Sequence, residues 1–274
     1  MSVHDAWARL TPYELSFPDL AFARGHFAAI QEEAGARQTD LHDAAAFVML
    51  AASGQALREI RGPDDDPALI RQYGSLLYHA FHFHAAGEPL WLVRVPALRA
   101  LLGGAPDALD APDAPDAAGW VPALEPAAGY AQLPQHMVWV RSSGDDPPES
   151  LDGFFWARSG AGRFDLLLAL GMRGDRPGLS VVPLADLPVA DAAEWVTSAM
   201  REGGGDFASS LPGSELEGLY ELRSGGEALK LAALVLRALE RVPAAALTEP
   251  AAAADLAPVG PRASELPYRS LDGA

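Results

Sequence analysis

Apolar residues recur at helical spacing through the first hundred positions and at strand spacing after Gly129, and this change of period divides the chain. Ser16-Phe17-Pro18-Asp19 forms a helix start, followed by Leu20, Ala23, Phe27 and Ile30 on one stripe. Thr39 is placed to cap a second helix running through Leu57 and Ile60. The Ala-Phe-Val-Met-Leu centre of that helix predicts burial on most sides. A third helix has the fullest punctuation: Asp66 to cap, Pro67 at the first helical position and Gly87 to stop it. Next come a short apolar strand in Pro89-Leu-Trp-Leu-Val-Arg-Val and a turn or two of helix over Pro96 to Leu102.

Four segments from Gly129 onward have strand character: YAQLPQHMVWVR, SLDGFFWARS, RFDLLLALGM and GLSVVPL. Ser-Gly-Ala-Gly suits a hairpin between the second and third, and Arg-Gly-Asp-Arg-Pro-Gly a reversal between the third and fourth. That reversal accounts for Arg-Gly-Asp without an adhesion role. Leu166 to Leu170 is apolar without alternation, which predicts a central strand covered on both faces. Two helices follow, about Asp191 to Arg201 and Glu227 to Arg241, the latter with Leu229, Ala233, Leu236 and Leu239 at helical spacing. The fold class expected is α+β: an N-terminal helical segment plus a four- or five-stranded, mainly antiparallel sheet with helices packed on it. Residues 1–104 form the helical part and 105–119 an Ala/Pro/Asp linker or long loop. Residues 120–242 form the α+β part, one unit with 1–104 if the strand at Leu90–Val93 joins the later sheet. Residues 243–274 lack a core pattern and are expected as a poorly ordered tail, whose end, SELPYRSLDGA, has the length of a partner-binding motif.

Composition narrows the function classes. The net charge is −17, and no run of Lys or Arg offers the basic face that a phosphate backbone or an anionic membrane requires. The absence of cysteine removes disulfides, thiolate metal sites and a cysteine nucleophile. The longest apolar run, Ala44 to Ala52, is too short to span a bilayer, and the first residues carry no secretory pattern. A soluble, cytoplasmic protein is expected. Asp107, Asp110, Asp113 and Asp116 recur every third residue. They lack the glycines and bidentate Glu of tight calcium sites, so they read as a solvated spacer.

The chemistry-bearing residues are few. His79, His82 and His84 crowd one helix, but neither helical nor strand geometry converges all three on one ion. His84 falls on the apolar face of that helix, and His79 and His82 on the other. As a pair one turn apart, His79 and His82 would need carboxylate or histidine ligands from elsewhere to hold zinc. No metal is therefore assigned. His136 is a candidate general base if folding brings Glu88 or Asp152 to it. No nucleophile elbow, phosphate loop or dinucleotide fingerprint is present, so no cofactor is implied. The aromatics Tyr130, Trp139, Phe154 and Trp156 lie on or near the strands, where an uncovered face would bind another polypeptide. The expected function is a non-catalytic interaction or regulatory protein, using that aromatic face or the tail. The alternative is a hydrolase using His136 or the His79/His82 pair with carboxylates.

Overall fold

Leu90–Val93 (β1) is buried at all four positions, as a strand covered on both faces should be. It is the inner strand that joins the early and late parts of the chain. The structure is a computed structural model describing residues 7–17, 19–41, 43–46, 67–103, 126–140, 148–159, 163–171, 180–188, 220–222, 225–241, 247–250 and 262–272. The other strands are Ala128–Gln132 (β2), Val138–Val140 (β3), Glu149–Ser159 (β4), Arg163–Leu170 (β5), Ser180–Pro188 (β6), Tyr220–Leu222 (β7) and Tyr268–Leu271 (β8). The helices are Pro12–Ser16 (α1), Leu20–Ala36 (α2), Pro67–Ala85 (α3), Val95–Gly103 (α4) and Gly225–Arg241 (α5).

The main path of the sheet runs β6-β5-β4-β2-β1-β8, with β3 paired to β4 and β7 beside it. The α+β class holds, but the sheet is mixed rather than mainly antiparallel. β1 runs parallel to both β2 and β8, and β3 runs parallel to β7. The physical reason lies in where α4 falls. A helix between β1 and β2 allows the chain to return in the same direction, which a tight hairpin cannot do.

Alternation along each strand feeds two cores. Trp91, Ala131, Phe154, Trp156, Leu166 and Leu168 face α4 and α5, meeting Leu98, Leu231, Val235 and Leu236. Leu90, Leu92, Tyr130, Phe155 and Leu167 face the other way, meeting Tyr13, Phe27, Leu76, Phe81 and Phe83. Each fully buried aliphatic or aromatic side chain contributes about 1.5–3 kcal/mol over leaving it in water. The sheet is thus a middle layer between helices on both sides. β1 and the later strands share that layer.

The helix starts follow their signals. Asp19 caps α2 by accepting from Phe22 N at 3.0 Å, and α3 begins at Pro67. Gly87, at φ +84°, provides the left-handed turn that ends α3. The expected first long strand is two strands, β2 and β3, parted by Pro134 and a turn in which His136 has φ +61°. A larger correction concerns the tail. Residues 262–272 are not loose but carry β8, registered Leu90 to Tyr268 through Val93 to Leu271. Leu266, Tyr268 and Leu271 supply the apolar payload that average composition concealed. The expected helix at 191–201, the 105–119 segment and both expected turns lie outside the described residues. So does most of the helix expected from Thr39, of which residues 43–46 are helical.

Candidate functional site

Asp152 owes its position to a bulge. β4 pairs Leu151 with Leu170 and Gly153 with Ala169, leaving Asp152 as the extra residue. A bulge re-aims its side chain, and here it turns the carboxylate into the protein. Asp152 accepts from Arg9 Nη2 at 2.7 Å and from the Tyr130 hydroxyl at 3.0 Å. Arg9 also donates to Leu133 O, and its backbone exchanges two hydrogen bonds with the Gln132 amide. Burial, followed by the Asp152 charge, holds the Tyr130 hydroxyl well above its usual pKa, so it remains a donor. Only glycine fits at 153, because a Cβ there would lie 2.3 Å from Ala131 O and 2.6 Å from the Tyr130 hydroxyl.

One turn along, Thr11 and Glu14 form a reciprocal capping box on α1. The buried Glu14 carboxylate also accepts from Ser264 Oγ and from Glu265 N at 2.7 Å. Burial raises its pKa against the lowering effect of those donors. The segment around Arg9 is thereby fastened to both β4 and residues 262–265.

Glu88 belongs to a different cluster. It occupies the left-handed region at φ +58°, just after Gly87, and accepts from Arg24 Nε at 2.8 Å and Tyr13 Oη at 3.2 Å. His84 Nδ1 lies 3.1 Å from the same carboxylate. Burial opposes ionisation of Glu88, but hydrogen bonds from Arg24 and His84 outweigh it and hold its pKa below the usual value. The cluster ties α2 to the end of α3.

The histidines of α3 are the reverse of the sequence expectation. His79 and His82 are buried against the sheet side, whereas His84 is only partly buried near α2. The long, aromatic-rich helix packs on β2, β4 and β5 as well as α2, so the face carrying His79 is not solvated. The His79 ring lies 6.2 Å from that of Phe155, and its Nδ1 is buried without a hydrogen-bond partner. Burial, then the neighbouring His82, depresses its pKa to about 3. Among the described residues, no group of three His, Cys, Asp or Glu is placed to hold a metal ion.

The residues considered for catalysis are not assembled together. His136 is exposed in the β2–β3 turn, stacked on Trp139 with ring centroids 5.8 Å apart. Its backbone carbonyl accepts from Trp139 Nε1. Asp152 is held by Arg9 and Tyr130, and Glu88 by Arg24, His84 and Tyr13. The aromatic binding face fares no better. Tyr130, Phe154 and Trp156 are fully buried, because helices cover both sheet faces; only Trp139 is partly accessible.

Among the described residues the exposed large hydrophobics are Phe22, Leu41 and Leu247, and Phe22, on α2, is the most exposed. Ala23, Phe27 and Ala34 are buried and Ile30 partly so, which leaves the opposite face to water. That face runs through Ala21, Gly25, Ala28, Glu32 and Ala36, with Phe22, His26, Ala29 and Glu33, the last ion-paired to Arg37, along its side. Phe22 is 74% exposed and lies parallel to the His26 ring at 6.3 Å. A solvated helix face ordinarily carries charged or long polar side chains; this one is mostly Ala and Gly around a single large aromatic. Sequence reasoning overlooked Phe22, although its position off the Leu20–Ala23–Phe27–Ile30 stripe was a usable signal. It also overlooked Arg9, which no local pattern marks, and the Thr11-x-x-Glu14 box, which is legible.

The chain matches no protein-family model and has no significant match among curated proteins or solved structures. Among the described residues, no helix is long and apolar enough to cross a membrane.

Proposed function

We propose that this protein is a non-catalytic interaction protein that binds another polypeptide through the outer face of α2, with Phe22 on its flank. The supporting observation is the exposure of Phe22 on a helix face of small residues. Aromatic residues, Phe among them, are enriched at interfaces over the rest of a protein surface. The acidic net charge suits a partner with a neutral or basic contact surface. The hydrolase alternative finds no comparable support, since His136 has neither Glu88 nor Asp152 among its contacts and His79 and His82 are buried.

The test is co-purification of the untagged chain from its own cells, compared with a Phe22→Ser variant. A stoichiometric second polypeptide that is lost in the variant, with the fold intact, is the expected result. Retention of that polypeptide by the variant would remove α2 as the interface. A His136→Ala variant that abolishes a chemical activity would favour the hydrolase reading instead.

A further inference from the structure

Glu32 is an acid in a poor place for its own helix. It lies one turn before the end of α2 at Ala36, where the unpaired carbonyl groups of a helix terminus disfavour negative charge. Glu33 beside it is compensated by its ion pair with Arg37. Glu32 is not: it is exposed and has no hydrogen-bond or ion-pair partner among the described residues. The arginines of α2 and its C-cap are both engaged elsewhere, Arg24 with Glu88 and Arg37 with Glu33. The last turn of α2 supplies no basic residue. Ala21, Gly25 and Ala28 precede Glu32 on the same outer face. Phe22 stands roughly 15 Å from it along the helix and about 80° around. The face thus joins an uncharged stretch to one carboxylate that nothing in the chain neutralises.

Resting on α2 as the interface, we propose that the bound polypeptide carries a lysine or arginine that pairs with Glu32, roughly 15 Å from the apolar surface that receives Phe22. A partner that laid only apolar surface here would strip water from Glu32 and return no counter-charge, which opposes binding. A cation offsets that desolvation and also relieves the clash between Glu32 and the helix end. A second copy of this chain is a poor occupant. Two α2 faces meeting across a two-fold axis bring Glu32 twice and no free arginine from the helix or its C-cap. The net charge of −17 acts the same way at longer range, attracting a basic partner and repelling another copy.

The experiment follows, by native mass spectrometry of the untagged chain purified from its own cells, the fraction that carries a second polypeptide. Raising ammonium acetate from about 50 to about 500 mM should lower that fraction, because salt screens the pair. Glu32→Lys should weaken the complex about a hundredfold or more, since like charges then face each other, and Glu32→Gln by a smaller factor. Both variants should keep or raise the urea midpoint of the isolated chain, because each removes an anion from the helix end. A weaker complex together with an undiminished midpoint separates a role in binding from a role in folding. Full-strength binding by Glu32→Lys, while Phe22→Ser still loses the polypeptide, would overturn the pairing and leave the α2 interface standing. A lowered midpoint in both Glu32 variants, or a second polypeptide that is another copy of the chain, would also overturn it. Retention of the polypeptide by Phe22→Ser, or no second polypeptide at all, would remove the interface and the pairing with it.

Discussion

The Arg9 guanidinium donates to the Asp152 carboxylate at 2.7 Å, joining residues 143 positions apart in a pair that is 3% and 2% exposed. The bond is made possible by a bulge in β4 and by a hydroxyl from β2, so it binds three parts of the chain at once. Two other donors of Arg9, Nε and Nη1, are buried without a partner. The pair is consequently a device for fixing where residues 7–14 lie, at some cost in desolvation, more than a source of net stability.

Breaking the pair from one side should therefore be severe. Arg9→Met leaves a buried carboxylate unpaired, and a loss of about 3–5 kcal/mol is expected in urea unfolding. The double variant Arg9→Met, Asp152→Leu should recover most of that loss. A double variant no better than the single one would show that Arg9 acts through contacts other than Asp152.

Gly153 is a second sensitive point. A Cβ at that position meets the backbone carbonyl of Ala131 at 2.3 Å, which no rotamer change relieves. Gly153→Ala should destabilise by more than the roughly 1 kcal/mol spanned by ordinary strand propensities. The loss should appear as a lower urea midpoint with an unchanged slope.

Acid should weaken the protein through His79. Its folded pKa, about 3, lies below the ordinary value of 6.5, so below pH 6.5 the unfolded chain binds more protons. Stability that is fully present above pH 6.5 is then lost as the pH falls toward 3, at up to about 1.4 kcal/mol per unit from this one group. Glu88 acts in the same direction at lower pH, because its folded pKa is depressed. Glu14, whose pKa is raised, acts in the opposite direction. His79→Leu should flatten the curve between pH 6.5 and 3, and should cost little at pH 7 because it removes a buried ring nitrogen without a partner. An unchanged slope in that variant would assign the acid sensitivity elsewhere.

Much of the architecture was legible from local signals. Pro67 and Gly87 bracketed α3, Asp19 marked the start of α2, and the unbroken Leu166–Leu170 run marked a strand covered on both faces. What escaped was non-local. β8 looks polar and short, and only its partner β1 and the Glu14 carboxylate reveal why it is ordered in the sheet. The same holds for His79 and His82, placed on a wet face because a one-helix projection contains no sheet. Tyr130, Phe154 and Trp156 looked available for binding, but helices before and after them in sequence cover both sides. Phe22 was legible in principle: it lies off the buried stripe of its own helix.

Replacing Phe22 should leave folding alone. A residue 74% exposed carries little core packing, so Phe22→Ser should change unfolding free energy by no more than about 0.5 kcal/mol. A much larger loss would mean that Phe22 serves the fold rather than a surface.

Hydroxyl-radical footprinting of the side chain of Phe22, in the isolated chain and in the complex purified from its own cells, tests the interaction account most directly. The account predicts rapid modification of Phe22 in the isolated chain and strong protection in the complex. Equal modification of Phe22 in both, with protection confined to other residues, would contradict it.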